Sequence, residues 1–266
     1  MKWCRFQNGG NIAYGVIEGD TVVEVAGTPF DADAKAGVAQ KRVGQHQLSA
    51  VKLLAPVIPP TFYAAGINYP EHVTWAAQMR GEEPKLPEKA DIGYRAVNSL
   101  TGHQDPIIVP KDATEMLQYE GELVVVIGKA CKNVTESQAL DYVLGYTIGN
   151  DVSERTWQRG DRTFWRAKNT DTFAPMGPWI VTDLEPDDLH VTVRLNERVV
   201  GDYDVKTAIF SVRHYISEMS KYLTLVPGDV IWMGTDGATE NMADGDTVEI
   251  DISEIGTLSN KVMWEK

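Results

Sequence analysis

The stretch from Tyr119 to Asp151 constrains this chain more than any other. It reads YEGELVVVIG, then a short connection, then LGYTIGND. The first half is rich in Val and Ile and places Glu120 and Glu122 two residues apart, so a β-strand would direct both carboxylates to one face. Like charges at that separation repel each other unless a cation lies between them. Because Glu-x-Glu pairs also occur on solvated strand faces, the spacing alone leaves a metal site and a surface strand both open.

Asp151, at the end of the second apolar run, offers a third oxygen ligand. A ligand set made of carboxylates, without Cys or His, suits a hard cation and favours Mg²⁺ or Mn²⁺ over Zn²⁺. Water molecules or a chelating substrate would complete the octahedron. The sequence therefore predicts a magnesium or manganese site formed by Glu120, Glu122 and Asp151.

Composition and charge narrow the class of protein. The 266 residues are 43% hydrophobic and 24% charged, as in an ordinary globular protein. No apolar run is long enough to span a membrane, and the first ten residues lack the apolar stretch of a secretory signal, so we expect a cytoplasmic protein without a membrane partner. The net charge of -13 argues against a nucleic-acid partner, because no basic tract is available to neutralise phosphates. Cys4 and Cys131 are too few for a disulfide framework.

The pattern along the chain predicts a strand-rich α+β protein with two parts. Residues 1 to about 30 alternate in short runs such as IAYGVI and DTVVEV, which predicts small antiparallel hairpins. The segment VKLLAPVIPP carries three prolines and marks a boundary. We therefore predict a small N-terminal α/β domain over residues 1–56 and a main domain over residues 57–266.

Helical signals occur in several segments, namely the run from Pro70, the run ESQALDYV after a capping box at Thr135 and Gln138, and the amphipathic run FSVRHYISEMSKYLTL. A further pattern, SERTWQ, follows Asp151 directly and would bring Arg155 and Gln158 within reach of the carboxylates. Residues 80–94 are polar and carry two prolines, which predicts a loop that could act as a lid. The chain contains neither GxGxxG nor GxxxxGK[ST], so nothing supports a nucleotide-binding fold.

Six motifs occur in this order: GINYPEHV, YEGELVVVIGK, GYTIGNDVSERTWQ, AKNTDTFAPMGPW, PGDVIWMGTDG and GDTVEIDISEIGTLSNKV. Together they resemble the fumarylacetoacetate hydrolase superfamily, in its acylpyruvase and 2-hydroxyhepta-2,4-diene-1,7-dioate isomerase-like branch, over roughly residues 60 to 264. The resemblance implies a mixed β-roll that usually forms a homodimer. It also implies that Mg²⁺ or Mn²⁺ is held by Glu120, Glu122 and Asp151, the carboxylates that the spacing predicts.

The resemblance further implies how the substrate is held. Arg155 and Gln158 correspond to substrate contacts after the metal-binding Asp, and Thr235 corresponds to one in the Gly-Thr pair. Lys168 in AKNTDTF corresponds to a residue of the catalytic set. Superfamily members act on small anionic keto acids of the 1,3-dicarbonyl type, whose oxygens chelate the metal while a Lys and an Arg neutralise the remaining charge.

The chain departs from the superfamily next to its predicted base. His72 corresponds to the His of the NYxxH motif, which moves a proton or activates water. Hydrolytic members usually carry a Glu three residues later that orients this His. This chain has Trp75 at that position, and we expect Trp75 to contact the substrate. Glu82 or Glu83 in the predicted lid could supply the carboxylate on closure. Arg95 replaces the Lys of a Lys-Pro pair and is expected to contact the substrate.

Three functions remain open. The first is a divalent-metal-dependent hydrolase that cleaves a C–C bond in an acylpyruvate or 2,4-diketo acid, with water activated by His72 and an enolate leaving at the metal. The second is a decarboxylase or keto-enol isomerase of oxaloacetate or a 2-hydroxydienoate-type acid, which needs no attacking water and depends less on the missing Glu. The third is a non-catalytic metal-binding dimer. We rank them in that order, although a fold by itself does not determine the reaction.

Overall fold

The computed structural model describes residues 1–31 and 41–266, which form mainly β-strands. The strands are β1 (Lys2–Asn8), β2 (Asn11–Glu18), β3 (Thr21–Val25), β4 (Arg42–Gln47), β5 (Lys52–Leu54), β6 (Phe62–Ala65), β7 (Ile92–Tyr94), β8 (Leu100–Thr101), β9 (Ile107–Val109), β10 (Leu117–Gln118), β11 (Gly121–Ile127), β12 (Val143–Asn150), β13 (Ser153–Glu154), β14 (Ala174–Val181), β15 (His190–Leu195), β16 (Arg198–Asp204), β17 (Val230–Trp232), β18 (Thr247–Ile252) and β19 (Gly256–Trp264). The α-helices are α1 (Pro70–Arg80), α2 (Arg155–Gln158) and α3 (Val212–Tyr222).

The fold consists mainly of two β-sheets, each of which contains both antiparallel and parallel strand pairs. The larger sheet has the order β4-β3-β2-β1-β14-β12-β11-β17-β6-β7, with β5 paired to β1 and β8 paired to β14. The smaller sheet has the order β16-β15-β18-β19-β9, and β10 pairs separately with β13. Most neighbours are antiparallel, but β6 pairs in parallel with β17 and β9 pairs in parallel with β19. This arrangement confirms the predicted strand-rich fold with mixed sheets.

Strand β11 lies inside the protein and is buried along its whole length. Leu123, Val125 and Ile127 face the main core, which the smaller sheet also lines, whereas Val124 and Val126 pack on the opposite face of the large sheet. A strand covered on both faces is apolar at every position rather than at every second one, which explains the run LVVVI. Full burial of each such side chain contributes about 1.5–3 kcal/mol, so the strand is a rigid base for the acidic residues at its start.

The N-terminal segment continues the large sheet. Its hairpins β1–β2 and β2–β3 turn at Gly9 and Gly19, which both adopt positive φ, and they confirm the hairpins expected over the first 30 residues. Strand β1 then pairs with β14, with Trp3 opposite Ile180. The domain boundary between residues 56 and 57 stays a prediction, as does the homodimer.

Two predicted helices have the expected positions. Helix α1 begins at Pro70 and is capped at its C-terminal end by Gly81, which takes the left-handed conformation with φ of 69°. Helix α3 buries Val212, Ile216 and Met219 on one face, as the periodicity predicts. No helix in the described part of the chain is long and apolar enough to cross a membrane.

The two helices predicted around the acidic stretch are shorter or tighter than expected. ESQALDYV forms a 3-10 helix over Glu136–Tyr142, which keeps the capping contact from the Thr135 backbone N–H to Gln138 at 3.2 Å. The helix predicted from Ser153 is reduced to the single turn α2. Ser153 and the residue after it instead pair with β10, so the chain remains extended until Arg155.

Candidate metal and substrate site

The three predicted ligand carboxylates come together at one end of β11 and β12. Glu120 precedes β11, Glu122 is its second residue, and Asp151 follows β12. Because β11 and β12 are antiparallel neighbours, the Asp151 backbone N–H donates to the Glu120 carbonyl at 2.9 Å. One oxygen from each of the three carboxylates lies within 4.8 Å of the others, and all three side chains are buried.

Three basic side chains contact these carboxylates. Lys168 Nζ lies 2.6 Å from Glu120 Oε2 and 2.7 Å from Asp151 Oδ2. Arg95 donates to both oxygens of Asp151, through Nε at 3.1 Å and Nη2 at 2.7 Å. Arg155 Nη2 lies 2.7 Å from Glu120 Oε1, in a geometry that does not make a hydrogen bond. These ion-paired side chains are at most 8% exposed, so water screens them little.

The neighbouring basic side chains lower the pKa of two of the carboxylates but not that of the third. Burial alone would raise the pKa of Glu120, but the Lys168 and Arg155 charges outweigh burial and hold it well below its usual range. The pKa of Asp151 is lowered in the same way, since Arg95 and Lys168 outweigh burial. Glu122 is different, because burial and then the charges of the other two acids raise its pKa well above the usual range.

A hard divalent cation fits this arrangement. Glu122 receives the Gly234 backbone N–H at 2.8 Å, and Gly234 can present it because its φ of 84° is readily available to glycine. Glu120 Oε1 is buried without a hydrogen-bond partner. All the donor atoms are carboxylate oxygens, which Mg²⁺ and Mn²⁺ prefer. The positive charge of the metal would also compensate the charge of Glu122, for which the described structure records no ion pair.

Arg155 is held from several sides. Its Nε donates to Gln118 at 2.8 Å, its Nη1 donates to Gln158 at 2.9 Å, and its guanidinium lies 5.3 Å from the centre of the Trp75 ring. Gln118 is a site residue that the sequence analysis missed. The sequence contains a signal for Gln118, because it lies two residues before Glu120 and four before Glu122. In an extended segment this spacing places the three side chains on one face.

His72 projects from the first turn of α1 into the same cavity. Its Nδ1 lies 3.3 Å from the backbone carbonyl oxygen of Thr235. A carbonyl can only accept, so Nδ1 carries the proton in the neutral ring and Nε2 is the basic nitrogen. Burial lowers the pKa of His72, and the Arg155 and Lys168 charges lower it further against the opposing charge of Glu120. The ring of Trp75 packs edge-on against the imidazole, with 5.5 Å between ring centres.

A cavity of about 620 Å³ unites these groups. Its walls include all ten predicted site residues outside the lid, namely His72, Trp75, Arg95, Glu120, Glu122, Asp151, Arg155, Gln158, Lys168 and Thr235. The cavity also has an apolar wall of Ile67, Met116 and Phe164, which the sequence analysis did not assign. Glu82 and Glu83 are exposed and are not among the lining residues, so their proposed catalytic role stays a prediction.

Fold and site together define a β-rich protein with a buried carboxylate triad and a basic pocket, and comparison with known families identifies its class. The sequence profile "Fumarylacetoacetate (FAA) hydrolase C-terminal" matches residues 61–263, and the profile "Rv2993c-like, N-terminal" matches residues 1–56. The chain therefore belongs to the fumarylacetoacetate hydrolase family, as the motifs predict.

Several relatives are similar over most of their length. Protein Rv2993c of Mycobacterium tuberculosis is 37% identical and covers 99% of this chain and 98% of its own. The oxaloacetate tautomerase YisK of Bacillus subtilis is 36% identical and covers 82% of this chain and 75% of its own. The 2,4-didehydro-3-deoxy-L-rhamnonate hydrolase of a Sphingomonas species is 34% identical and covers 98% of this chain and 96% of its own.

Solved structures give the same class. The 5-carboxymethyl-2-hydroxymuconate delta-isomerase from Mycobacterium smegmatis superposes with a TM-score of 0.87 and 37% identity, and each chain is covered completely. The maleylpyruvate hydrolase from Sphingobium sp. SYK-6, solved with manganese(II) and pyruvate, superposes with a TM-score of 0.80 and 25% identity over both complete chains. The family thus includes isomerases, hydrolases and a tautomerase, and its name alone does not specify the reaction.

Proposed function

We propose that this protein is a divalent-metal-dependent enzyme that converts a small 2-oxo acid through its enolate, with keto-enol isomerisation or decarboxylation as its reaction. The observation that carries the proposal is the carboxylate triad Glu120, Glu122 and Asp151, buried beside three basic side chains in a cavity that His72 also lines. Such a site combines a place for a cation, charges for an anionic substrate, and a base.

The protein's own groups have separable roles in this chemistry. A bound divalent cation would polarise the 2-oxo group and stabilise negative charge on its oxygen. Arg155 and Lys168 attract the substrate carboxylate to the triad. In keto-enol isomerisation His72 accepts at Nε2 the proton that leaves the carbon next to the carbonyl, while the Thr235 carbonyl fixes its tautomer. In decarboxylation the bond to CO₂ breaks instead, so no base is required and the enolate that remains takes a proton from solvent.

Trp75 is the reason for preferring proton transfer over hydrolysis. It contacts both His72 and Arg155, at the position where hydrolytic members have a Glu. An indole can neither accept a proton from water nor hold a water by accepting a hydrogen bond. Isomerisation and decarboxylation need no attacking water, so they are compatible with this substitution. The similarity to an oxaloacetate tautomerase supports the same preference.

Hydrolysis of a C–C bond beside a carbonyl is the second candidate. It is favoured by the likeness to a 2,4-didehydro-3-deoxy-L-rhamnonate hydrolase, which extends over nearly the whole chain. The unprotonated Nε2 of His72 could deprotonate a water as well as a C–H group. Both candidates therefore require the metal site, hydrolysis would use the same base as isomerisation, and the reactions differ in the product.

Product analysis separates the two candidates. Protein loaded with Mg²⁺ or Mn²⁺ is offered oxaloacetate and acetylpyruvate, and enol absorbance, CO₂ and acetate are measured with and without a chelator. We expect chelator-sensitive enol-keto exchange or CO₂ release from oxaloacetate, with no acetate from acetylpyruvate. Acetate plus pyruvate would establish the hydrolase instead. Absence of any chelator-sensitive conversion, with Glu122→Gln protein matching the wild type, would contradict the proposed metal enzyme.

A further inference from the structure

Arg95 occupies both oxygens of the candidate metal ligand Asp151. Its Nε lies 3.1 Å from Oδ1 and its Nη2 lies 2.7 Å from Oδ2, which is the two-pronged geometry of a strong guanidinium-carboxylate pair. Lys168 contacts Oδ2 as well, at 2.7 Å. A metal ion that uses Asp151 would share the carboxylate with these donors, and Arg95, which contacts both oxygens, is its main competitor for the negative charge.

Charge balance gives the same result. The site holds three carboxylates and three basic side chains, so its formal charge is zero before a divalent cation enters. The cation adds two positive charges in a buried place, where unpaired charge is costly. The Arg95 guanidinium lies 2.7 Å from the Asp151 carboxylate, so a cation bound to this carboxylate would repel the guanidinium. The repulsion decreases if the guanidinium moves away from the cation, and the excess positive charge decreases if an anion binds.

Arg95 has room to move. It lines the main cavity and also a second, more open pocket of about 590 Å³ that Tyr94, Asn98 and Trp165 help to form. Its Nη1 has a weak contact to the Tyr94 carbonyl oxygen, at 3.3 Å. A small rotation therefore keeps the guanidinium on the wall of the main cavity, where an anionic ligand would meet it.

We propose that Arg95 is the resident counter-ion of Asp151, that a divalent cation displaces it, and that the released guanidinium then binds a second carboxylate of the ligand. This inference rests on the metal site of the proposed function. It identifies the preferred ligand class as dianions, which neutralise the two charges that the metal brings, and it makes metal binding and dianion binding cooperative through Arg95.

The first test measures metal affinity by calorimetry with Mn²⁺ alone. Arg95→Gln removes the competing charge and should bind Mn²⁺ at least tenfold more tightly than the wild type. Arg95→Lys keeps a charge but loses the fork, and should lie between the two. Arg213→Gln changes the net charge equally at a surface pair with Glu185 and should leave the Mn²⁺ affinity unchanged. Circular dichroism confirms that each variant is folded.

The second test uses two ligands that differ only in the second charge. Malate and 2-hydroxybutyrate are four-carbon 2-hydroxy acids that end in a carboxylate and a methyl group respectively, and neither has the 2-oxo group. Mn²⁺-loaded wild type should bind malate at least tenfold more tightly than 2-hydroxybutyrate. Arg95→Gln should bring the ratio close to one by weakening malate alone.

The outcomes distinguish this inference from the function on which it rests. Failure of the wild type to bind Mn²⁺ would refute the metal site itself. If the wild type binds Mn²⁺ but both Arg95 variants bind it equally or less tightly, the competition is refuted. A malate preference that persists in Arg95→Gln overturns the role of the released guanidinium. Arg95→Lys decides the case if the Gln variant does not fold.

Discussion

Replacing Glu120 and Glu122 by Gln, one at a time, should have opposite effects on the metal-free protein. Glu120 contacts Lys168 at 2.6 Å and Arg155 at 2.7 Å, and all three side chains are at most 6% exposed. Removing one partner of a buried ion pair leaves an uncompensated charge and costs about 3–5 kcal/mol. Glu120→Gln should therefore lower the free energy of unfolding by about that amount, although it is nearly isosteric.

Glu122 differs although it lies two residues away on the same strand face. The described structure records no ion pair for it, and its contact is the Gly234 N–H at 2.8 Å, which an amide oxygen can also accept. Its charge lies beside two other acids in a buried site. Glu122→Gln removes that repulsion, so the free energy of unfolding should stay within about 1 kcal/mol of the wild type or rise.

Urea denaturation in the presence of a chelator, followed by circular dichroism, measures both effects. A loss of 3 kcal/mol also lowers Tm by roughly 6–12 °C in a chain of this size. Calorimetry with Mn²⁺ should show weakened metal binding in both variants, since each loses a ligand charge. Equal destabilisation of the two variants, or full stability of Glu120→Gln, would refute the electrostatic account of the site.

Three further changes test Trp75 in the cavity and two positions outside its lining, Asp236 and Gly149. Trp75→Glu should create acetylpyruvate hydrolysis that Trp75→Gln lacks, and equal product release by the two would mean that the missing carboxylate does not limit hydrolysis. Asp236 is half-buried, and burial and then Glu71 raise its pKa to about 6, so stability falls as pH rises from 3.8 to about 6. Asp236→Asn should remove that pH dependence and raise the free energy of unfolding above pH 6 by about 1–2 kcal/mol, as measured by urea denaturation. An unchanged pH profile would contradict this prediction. A Cβ on Gly149 would lie 2.6 Å from the buried Trp232 ring, so Gly149→Ala should lower the free energy of unfolding by about 1–3 kcal/mol. Wild-type stability in the same assay would show that the ring can shift without an energetic cost.

The acidic triad was predictable because it depends on local geometry. Glu120 and Glu122 share a face by the two-residue period of a strand, and the run of Val and Ile after them indicates that the strand is buried. Asp151 ends the next strand, and consecutive strands usually pair as antiparallel neighbours, as β11 and β12 do. Strand period and pairing were therefore enough to bring the three carboxylates together.

Local pattern predicted the position of Arg155, which directly follows Asp151 in the run SERTWQ, but it did not predict the other two basic partners. Arg95 follows β7, which reaches the site only because β7 pairs with β6 and β6 with β17 beside β11. Lys168 lies in an irregular segment whose position depends on Asp161, which accepts from the Ala167 backbone N–H at 2.9 Å. For both, the motifs indicated that a cation was needed, but tertiary contacts decided which carboxylate each one meets.

The orientation of His72 shows why a missing side chain need not mean a missing function. The sequence has Trp75 where hydrolytic relatives usually have the carboxylate that orients this His, so it predicts an imidazole without that orienting group. The structure supplies the backbone carbonyl of Thr235 instead, which a sequence cannot reveal because every residue has one. A neutral carbonyl stabilises an imidazolium less than a carboxylate does, and burial lowers the pKa of His72, so the ring stays neutral and ready to accept a proton. The proposed base thus keeps a defined tautomer although Trp75 cannot hold a water, and this is the physical ground for proposing proton transfer before hydrolysis.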